Sequence, residues 1–319
     1  MKSDVFQSSR RHFLKQSLLA GAALPLVSAS AFAASDTAAD RLKINIFSKN
    51  LHFLNYKDMA EAAAEMGFDG IDLTVRPFGH VLPERVEDDL PKAVEAIRKV
   101  GFSPLLMATE VGDPDNSVDV KLLTVASRLG FKHYRTTHYP YPETSTITEA
   151  VSLLAEKLKK LSLLNKELKI AGHYQNHSGL LAGANVWELN ELVKESDHQY
   201  MGVQYDIHHA VAEGGLCWPN GLRLIQPRIG SINIKDFIWK QKNGVWKITD
   251  VPAGEGMVDF KSYFKLLKKY QVDVPVSLHF EYPLGGVENG EGKITMDKRD
   301  IFTAMKRDLK KVHELWQAS

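Results

Sequence analysis

The sequence predicts an α/β fold, a closed (β/α)8 barrel, and three observations carry that expectation. From about residue 42 onward, short apolar runs alternate with longer segments of helical periodicity. The passage from helix to strand repeats a Gly-Phe step, at Gly67-Phe68, Gly101-Phe102 and Gly130-Phe131. Glycine accepts the left-handed backbone that ends a helix, and the recurrence is that of βα units turning back onto a parallel strand. The strands then count to eight, each followed by a helix, which is the number a closed parallel barrel needs. An open doubly wound sheet would show a Gly-rich phosphate loop after its first strand, and none is present.

The elements follow in order. Leu42–Phe47 alternates and is the first strand, and Tyr56–Met66 is a helix stopped at Gly67. Strand two is Gly70–Thr74, followed by a helix over Asp88–Val100. Strand three is Ser103–Ala108, with a helix over Ser117–Leu129. Strand four is Lys132–Thr136, before a long helix, Ile147–Leu164. Strand five is Leu168–His173, with a helix at Val186–Lys194. Strand six is Gly202–Tyr205, before a short helix, Asn220–Gln226. Strand seven is Gly230–Ile234, before a helix at Val258–Tyr270. Strand eight is Pro275–Glu281, and Asp297–Trp316 is the closing helix. One insertion interrupts the rhythm. Phe237–Val251 alternates about Asn243-Gly244, a hairpin signal, and falls where a flap over the barrel mouth would sit.

The first 33 residues read separately, as a twin-arginine export signal, with residues 34–319 as the barrel domain. Arg10 and Arg11 open the charged run, Ser17–Val27 is apolar, and Ala31-Phe32-Ala33 is a small-x-small cleavage site. The apolar stretch is too short for a stable span, which needs about 20 residues. No cysteine follows it to carry a lipid, so the expectation is periplasmic or secreted protein, in transient contact with the export machinery and without a stable membrane anchor. Net charge is +1, which offers no electrostatic footprint for nucleic acid. Cys217 is the single cysteine, so stability must come from packing rather than an internal disulfide. The sequence is compatible with a homo-oligomer but does not specify one.

Barrel enzymes carry their chemistry at the C-terminal ends of the strands. Strand two leads there to Asp72, Arg76 and His80, strand three to Glu110, and strand four to Arg135 and His138. Strand five gives His173-Tyr-Gln-Asn-His177 and strand six Tyr205-Asp-Ile-His-His209. Strand seven gives Asn233-Ile-Lys-Asp236 and strand eight His279-Phe-Glu281. So many ionisable side chains are costly to bury without a purpose. Residues i and i+2 share a strand face, so His173 points with Gln175, and His279 with Glu281. Carboxylate, imidazole and amide oxygen converging on one axis suit a single divalent cation: Mn²⁺, Mg²⁺, Co²⁺ or Zn²⁺. Such an ion could polarise a sugar carbonyl and stabilise an enediolate, with Glu281 as general base. Trp218, Trp239 and Trp246 fall in loops near the mouth, where they either stack on sugars or pack the flap.

The segments Tyr174-Gln-Asn-His-Ser-Gly179, Asp206-Ile-His-His209, Ile234-Lys-Asp236 and Phe280-Glu-Tyr282 resemble the xylose isomerase-like TIM barrel superfamily. Within it they resemble the sugar phosphate isomerase/epimerase group. The resemblance runs over residues 43–315. It implies a small carbohydrate as ligand and Glu, Asp, His and Glu on successive strands around one divalent metal, the two Glu also moving protons. Carried over, the Asp is Asp206, the last Glu is Glu281, and the substrate-contacting His is His209. The first Glu position is Gln175, and the His position is Asn233. An amide ligates more weakly than a carboxylate and is no base near neutral pH.

The expected metal set is therefore Gln175, Asp206, Glu281 and a substitute, His279 or His173. Glu281 and His209 are the catalytic candidates. Arg76, His80, Glu110, His138, His177 and Lys235 are the substrate contacts. Three readings follow: a one-base isomerase or lyase that keeps the metal, a metal-free sugar-binding or hydrolytic site, or a DNA repair nuclease. The last is disfavoured by the charge balance and by export.

Overall fold

The computed structural model describes residues 41–319; the expected export signal lies outside the described residues. Eight strands close a parallel barrel: β1 (Ile44–Phe47), β2 (Gly70–Val75), β3 (Leu106–Thr109), β4 (His133–Arg135), β5 (Ala171–Gln175), β6 (Met201–Asp206), β7 (Ile229–Ile234) and β10 (Val276–Leu278). They pair in sequence order, and β10 closes against β1 through Ile44–Val276 and Ile46–Leu278. Two further strands, β8 (Asp236–Lys242) and β9 (Val245–Val251), form the expected antiparallel hairpin. Asn243 and Gly244 turn it with φ of 53° and 79°, the doubly positive turn that Asn-Gly favours. Asp236 fixes its base by accepting four backbone N–H bonds, from Phe237, Gly254, Gly256 and Val258, at 2.8–3.1 Å.

The helices are α1 (Tyr56–Met66), α2 (Val86–Lys99), α3 (Ser117–Leu129), α4 (Ile147–Leu168), α5 (Val186–Val193), α6 (Ile207–Gly214), α7 (Trp218–Ile225), α8 (Phe260–Tyr270) and α9 (Lys298–Gln317). Their apolar faces pack on the outside of the barrel, through residues such as Leu123, Leu158, Leu189, Phe264 and Met305. The glycine stops are observed: Gly67 and Gly130 end α1 and α3 in the left-handed conformation. Among the described residues no helix is long and apolar enough to cross a membrane.

Several boundaries move by a few residues, and three departures from expectation bear on the site. Helix α4 runs to Leu168, so β5 starts at Ala171 rather than Leu168. Lys169 ends it in the left-handed region (φ 56°) without a glycine, and buried Asn165 holds the last turn by accepting from Tyr134 Oη and donating to the Tyr200 carbonyl. Helix α6 was not expected. It starts directly off β6, because Asp206 caps its first turn by accepting the His209 N–H. The eighth barrel strand stops at Leu278, which leaves Glu281 in the loop at the mouth.

The barrel interior is unusually polar. Asn45, Asp72, Arg135, His173, Gln175, Gln204, Asp206, Ser231, Asn233 and Ser277 are all buried in it. They pair between strands: Ser277 donates to Asp72 Oδ2 (2.7 Å), Asn233 to Gln204 Oε1 (3.1 Å) and Asn45 to the Val276 carbonyl (2.9 Å).

Candidate functional site

The alternation of each strand carries the polar interior up to the C-terminal mouth, where it opens as a cavity of about 350 Å³. The inward positions of β1 continue as Phe47 and Lys49, those of β2 as Arg76, and those of β4 as Arg135. Strand β5 contributes Gln175 and then His177, β7 contributes Lys235, and the chain after β10 contributes His279 and Glu281. Glu110 and His138 complete the wall from the loops after β3 and β4. Eight expected residues therefore meet: Arg76, Glu110, His138, Gln175, His177, Lys235, His279 and Glu281.

Lys235 organises the floor. Its side chain is 3% exposed, and Nζ lies 3.0 Å from Glu281 Oε2 and 3.5 Å from Asp206 Oδ2. Lys49 holds the other oxygen of Glu281 at 3.2 Å, and His279 Nδ1 stands 3.7 Å from the same atom. Burial alone would strip the Lys235 proton, but the facing carboxylates outweigh it and the ammonium is held well above its ordinary range. Burial likewise opposes the charge on Glu281, but Lys235, His279 and Lys49 outweigh it and hold the carboxyl well below the usual carboxylate range. The imidazoles do the reverse. Burial lowers His138, His177, His209 and His279, the last to about 4, so all four are neutral at pH 7.

The expected metal set does not fit a cation. Asp206 is wholly buried beneath the cavity floor, and its Oδ2 already accepts from Gln175 Nε2 at 2.9 Å and faces Lys235. Facing a carboxylate, the Gln175 amide presents its donor side, so its oxygen does not share a centre with Asp206 Oδ2. Asn233, at the position where the resemblance implies His, donates its amide N–H to Gln204 Oε1, and its own oxygen has no hydrogen-bond partner. His173 belongs to a lower layer of the barrel, bonded to Ser231 at 2.8 Å. Among the described residues no three His, Cys, Asp or Glu side chains gather as a metal-binding group. Two ammonium groups stand against the two carboxylates, so the charge a divalent ion would neutralise is already neutralised.

Two other expectations are corrected. His80 does not reach the cavity. After β2 the chain folds back through a Val75–Val81 bridge, and His80 Nδ1 is buried beside Ser48 Oγ (3.2 Å), with its ring edge-on to His52. His209, on the first turn of α6, stands behind His177 with ring centroids 4.2 Å apart, and its Nδ1 pairs with Ser178 Oγ at 2.9 Å. It supports the wall rather than forming it. Of the three tryptophans, Trp218 is buried against Tyr263, while Trp239 and Trp246 are exposed on the hairpin. Phe47, Lys49 and Arg135 line the cavity without having been chosen as site residues. Counting by two from Asn45, and inward from His133, would have found them.

A family model described as xylose isomerase-like TIM barrel matches residues 60–300. Comparison with curated protein sequences gives no match. Solved structures match over nearly their whole length. The IOLI protein with a bound zinc atom is 18% identical, with a TM-score of 0.66, covering 86% of this chain and 99% of that one. D-psicose 3-epimerase of Clostridium cellulolyticum H10 is 13% identical (TM-score 0.63; 86% and 99% covered). The 3-keto-D-glucoside 4-epimerase of E. coli is also 13% identical (TM-score 0.62; 86% and 100% covered). Identities this low speak for the fold alone, while the family model spans most of the described barrel. On that match the chain belongs to the xylose isomerase-like TIM barrel family.

Proposed function

We propose that the chain is an exported carbohydrate-modifying enzyme of the isomerase/epimerase kind, which moves a proton next to a sugar carbonyl with a buried lysine in the place of a metal. The observation that carries this reading is Lys235, an ammonium held between Asp206 and Glu281 and reaching the cavity. The names of the structural neighbours, sugar epimerases among them, support the substrate class. The Arg10-Arg11 signal supports export.

In this mechanism Glu281 takes the proton from the carbon beside the carbonyl. The electron pair of that C–H bond passes to the carbonyl oxygen. Lys235, and Lys49 beside it, stabilise the resulting enolate charge, a role that fixed cations perform well in a partly dry site. As Lys235 turns toward the substrate oxygen, Glu281 loses part of the contact that suppresses its basicity and becomes a better base. With one carboxylate base at the floor, delivery of that proton to the former carbonyl carbon, as the proton of the neighbouring hydroxyl passes to the carbonyl oxygen, gives isomerisation, and expulsion of a leaving group from the next carbon gives elimination.

Incubating keto-sugars in D₂O tests the reading. Deuterium enters at the carbon beside the carbonyl with wild type, and Glu281→Gln slows its entry by about 10²-fold or more. No exchange into any keto-sugar, or equal exchange in the variant, overturns it. Metal-free sugar binding without turnover is the second reading. Its support is that Glu281 and the four histidines are all held in weakly basic states.

A further inference from the structure

The side of the mouth opposite the lysine floor presents a different problem. Arg76 follows β2 and Arg135 ends β4, flanking the end of β3. Both line the cavity. Arg135 is 7% exposed. Its Nε is buried with no hydrogen-bond partner, and among the described residues no hydrogen bond or ion pair engages either guanidinium. Arg76 has only the face of the Phe47 ring, 5.7 Å from its Cζ.

That arrangement is costly as it stands. A guanidinium carries five donors in a planar fork and keeps its charge at neutral pH, so burying it unpaired leaves the desolvation uncompensated. Burial first, and then the neighbouring Arg76 charge, push Arg135 down only to about 10. The nearby carboxylates do not resolve the charge. Asp72 is committed through one oxygen to Ser277, and burial pushes it up to about 6. Glu110 is exposed at the rim and forms no ion pair within 4 Å among the described residues. At the floor, by contrast, Lys49 and Lys235 are both paired with Glu281. The unbalanced positive charge of the cavity therefore lies at the two arginines.

We propose that Arg76 and Arg135 form an anion subsite, and that the substrate is a sugar bearing a negatively charged group, a carboxylate or a phosphate. Paired guanidinium forks match the planar oxygens of a carboxylate, or the oxygens of a phosphate, with parallel charge-assisted hydrogen bonds. The barrel order places this subsite on the β2–β4 side and the reactive pair, Lys235 and Glu281, on the β7–β10 side. A sugar acid or sugar phosphate then lies across the mouth, with its charged end on the arginines and its carbonyl end over the lysine. A cavity of about 350 Å³ accommodates a single such residue. The inference rests on the proposed carbohydrate function for the identity of the ligand, and the arginine geometry supplies the charge.

The test is equilibrium binding by calorimetry, with D-glucuronate, D-glucose 6-phosphate and D-glucose as probes and without turnover. At least one anionic sugar is expected to bind tenfold or more tightly than D-glucose. The tighter of the two anions identifies the source of the charge. Arg135→Met and Arg76→Met are each expected to bring the anionic sugar down to the D-glucose level. If Arg135→Met does not fold, by circular dichroism, Arg76→Met decides alone, since that side chain is the less buried. Equal binding of all three probes, no saturable binding of either anion, or an anion preference that survives the folded variants overturns the proposal. Deuterium exchange separates the two ideas. Anion preference without exchange sinks the proton chemistry and leaves the subsite, and exchange without anion preference does the reverse.

Discussion

Replacing Lys235 by Met isolates what the buried ammonium does. The side chain length is roughly kept, and the charge is removed. Asp206, with no exposure, then loses a cation at 3.5 Å, and Glu281 loses one at 3.0 Å but keeps Lys49 at 3.2 Å and remains 23% exposed. Breaking a buried pair from one side costs about 3–5 kcal/mol, because the partner charge is left uncompensated. Lys49 and the partial exposure of Glu281 place the expected loss near the lower end, about 3 kcal/mol. The sign with pH follows from the wild-type contacts. Glu281 is held below its ordinary range, so its contribution is present above that range and lost as pH falls through the folded value. Without Lys235 the folded Glu281 carboxyl binds a proton more readily, and protonation removes its uncompensated charge. The deficit of the variant should therefore be largest near neutral pH and shrink on acidification. Urea unfolding of wild type and Lys235→Met at pH values of about 7.5 and 5, followed by tryptophan fluorescence, measures it. A deficit under about 1 kcal/mol at the higher pH, or one that grows at the lower, refutes the reasoning.

Other outcomes follow from the same contacts. Because Lys235 stands where a cation would, elemental analysis of purified protein should show no stoichiometric Mn, Mg, Co or Zn, and exchange into a keto-sugar should survive dialysis against a chelator; one ion per chain contradicts this. The fold should be acid-labile. Burial drives His80 to about 3 and His208 and His279 to about 4, so acid favours the unfolded chain, at roughly 2 kcal/mol per histidine at pH 5. Asp72 and Asp250, pushed up to about 6, return roughly 1.4 kcal/mol each in the opposite direction, leaving a net loss of about 3 kcal/mol. A urea midpoint unchanged between pH values of about 8 and 5 contradicts this. Asp236→Ala deprives four backbone N–H groups of their acceptor at the hairpin base and should cost about 2–4 kcal/mol, with Asp236→Asn recovering part of it. Proteolysis between residues 237 and 251 should rise in parallel.

Much of the site was legible because a strand has period two. The inward series that begins with Asn45, Asp72, His173 and Ser277 reaches the mouth as Lys49, Arg76, His177 and Glu281, and the cavity contains each of them. Lys49 and Phe47 follow from the same counting applied to β1, from Asn45. The errors came where the chain leaves the strand. His80 is four residues beyond Arg76, and the return of the loop through Val75 and Val81, not periodicity, sends it toward Ser48. Helix α6 was hidden because its cap, Asp206, had been read only as a candidate ligand. Helix α4 overran because Lys169 takes the role usually given to glycine.

The sequence by itself determined the barrel, the hairpin after β7, the identity of the polar strand ends and the departures at Gln175 and Asn233. These depend on periodicity, turn chemistry and residue type, which are local. The tertiary structure alone decided which charges meet. Lys235 touches Glu281 across 46 residues and Asp206 across 29, whereas Arg76 and Arg135 meet no carboxylate within ion-pair distance among the described residues. Charge interactions depend on separation in space and on the surrounding dielectric, and both are fixed only once the strands close. The lysine expected as a substrate contact thereby pairs with the two carboxylates expected as metal ligands, and two arginines reach the cavity without a carboxylate partner.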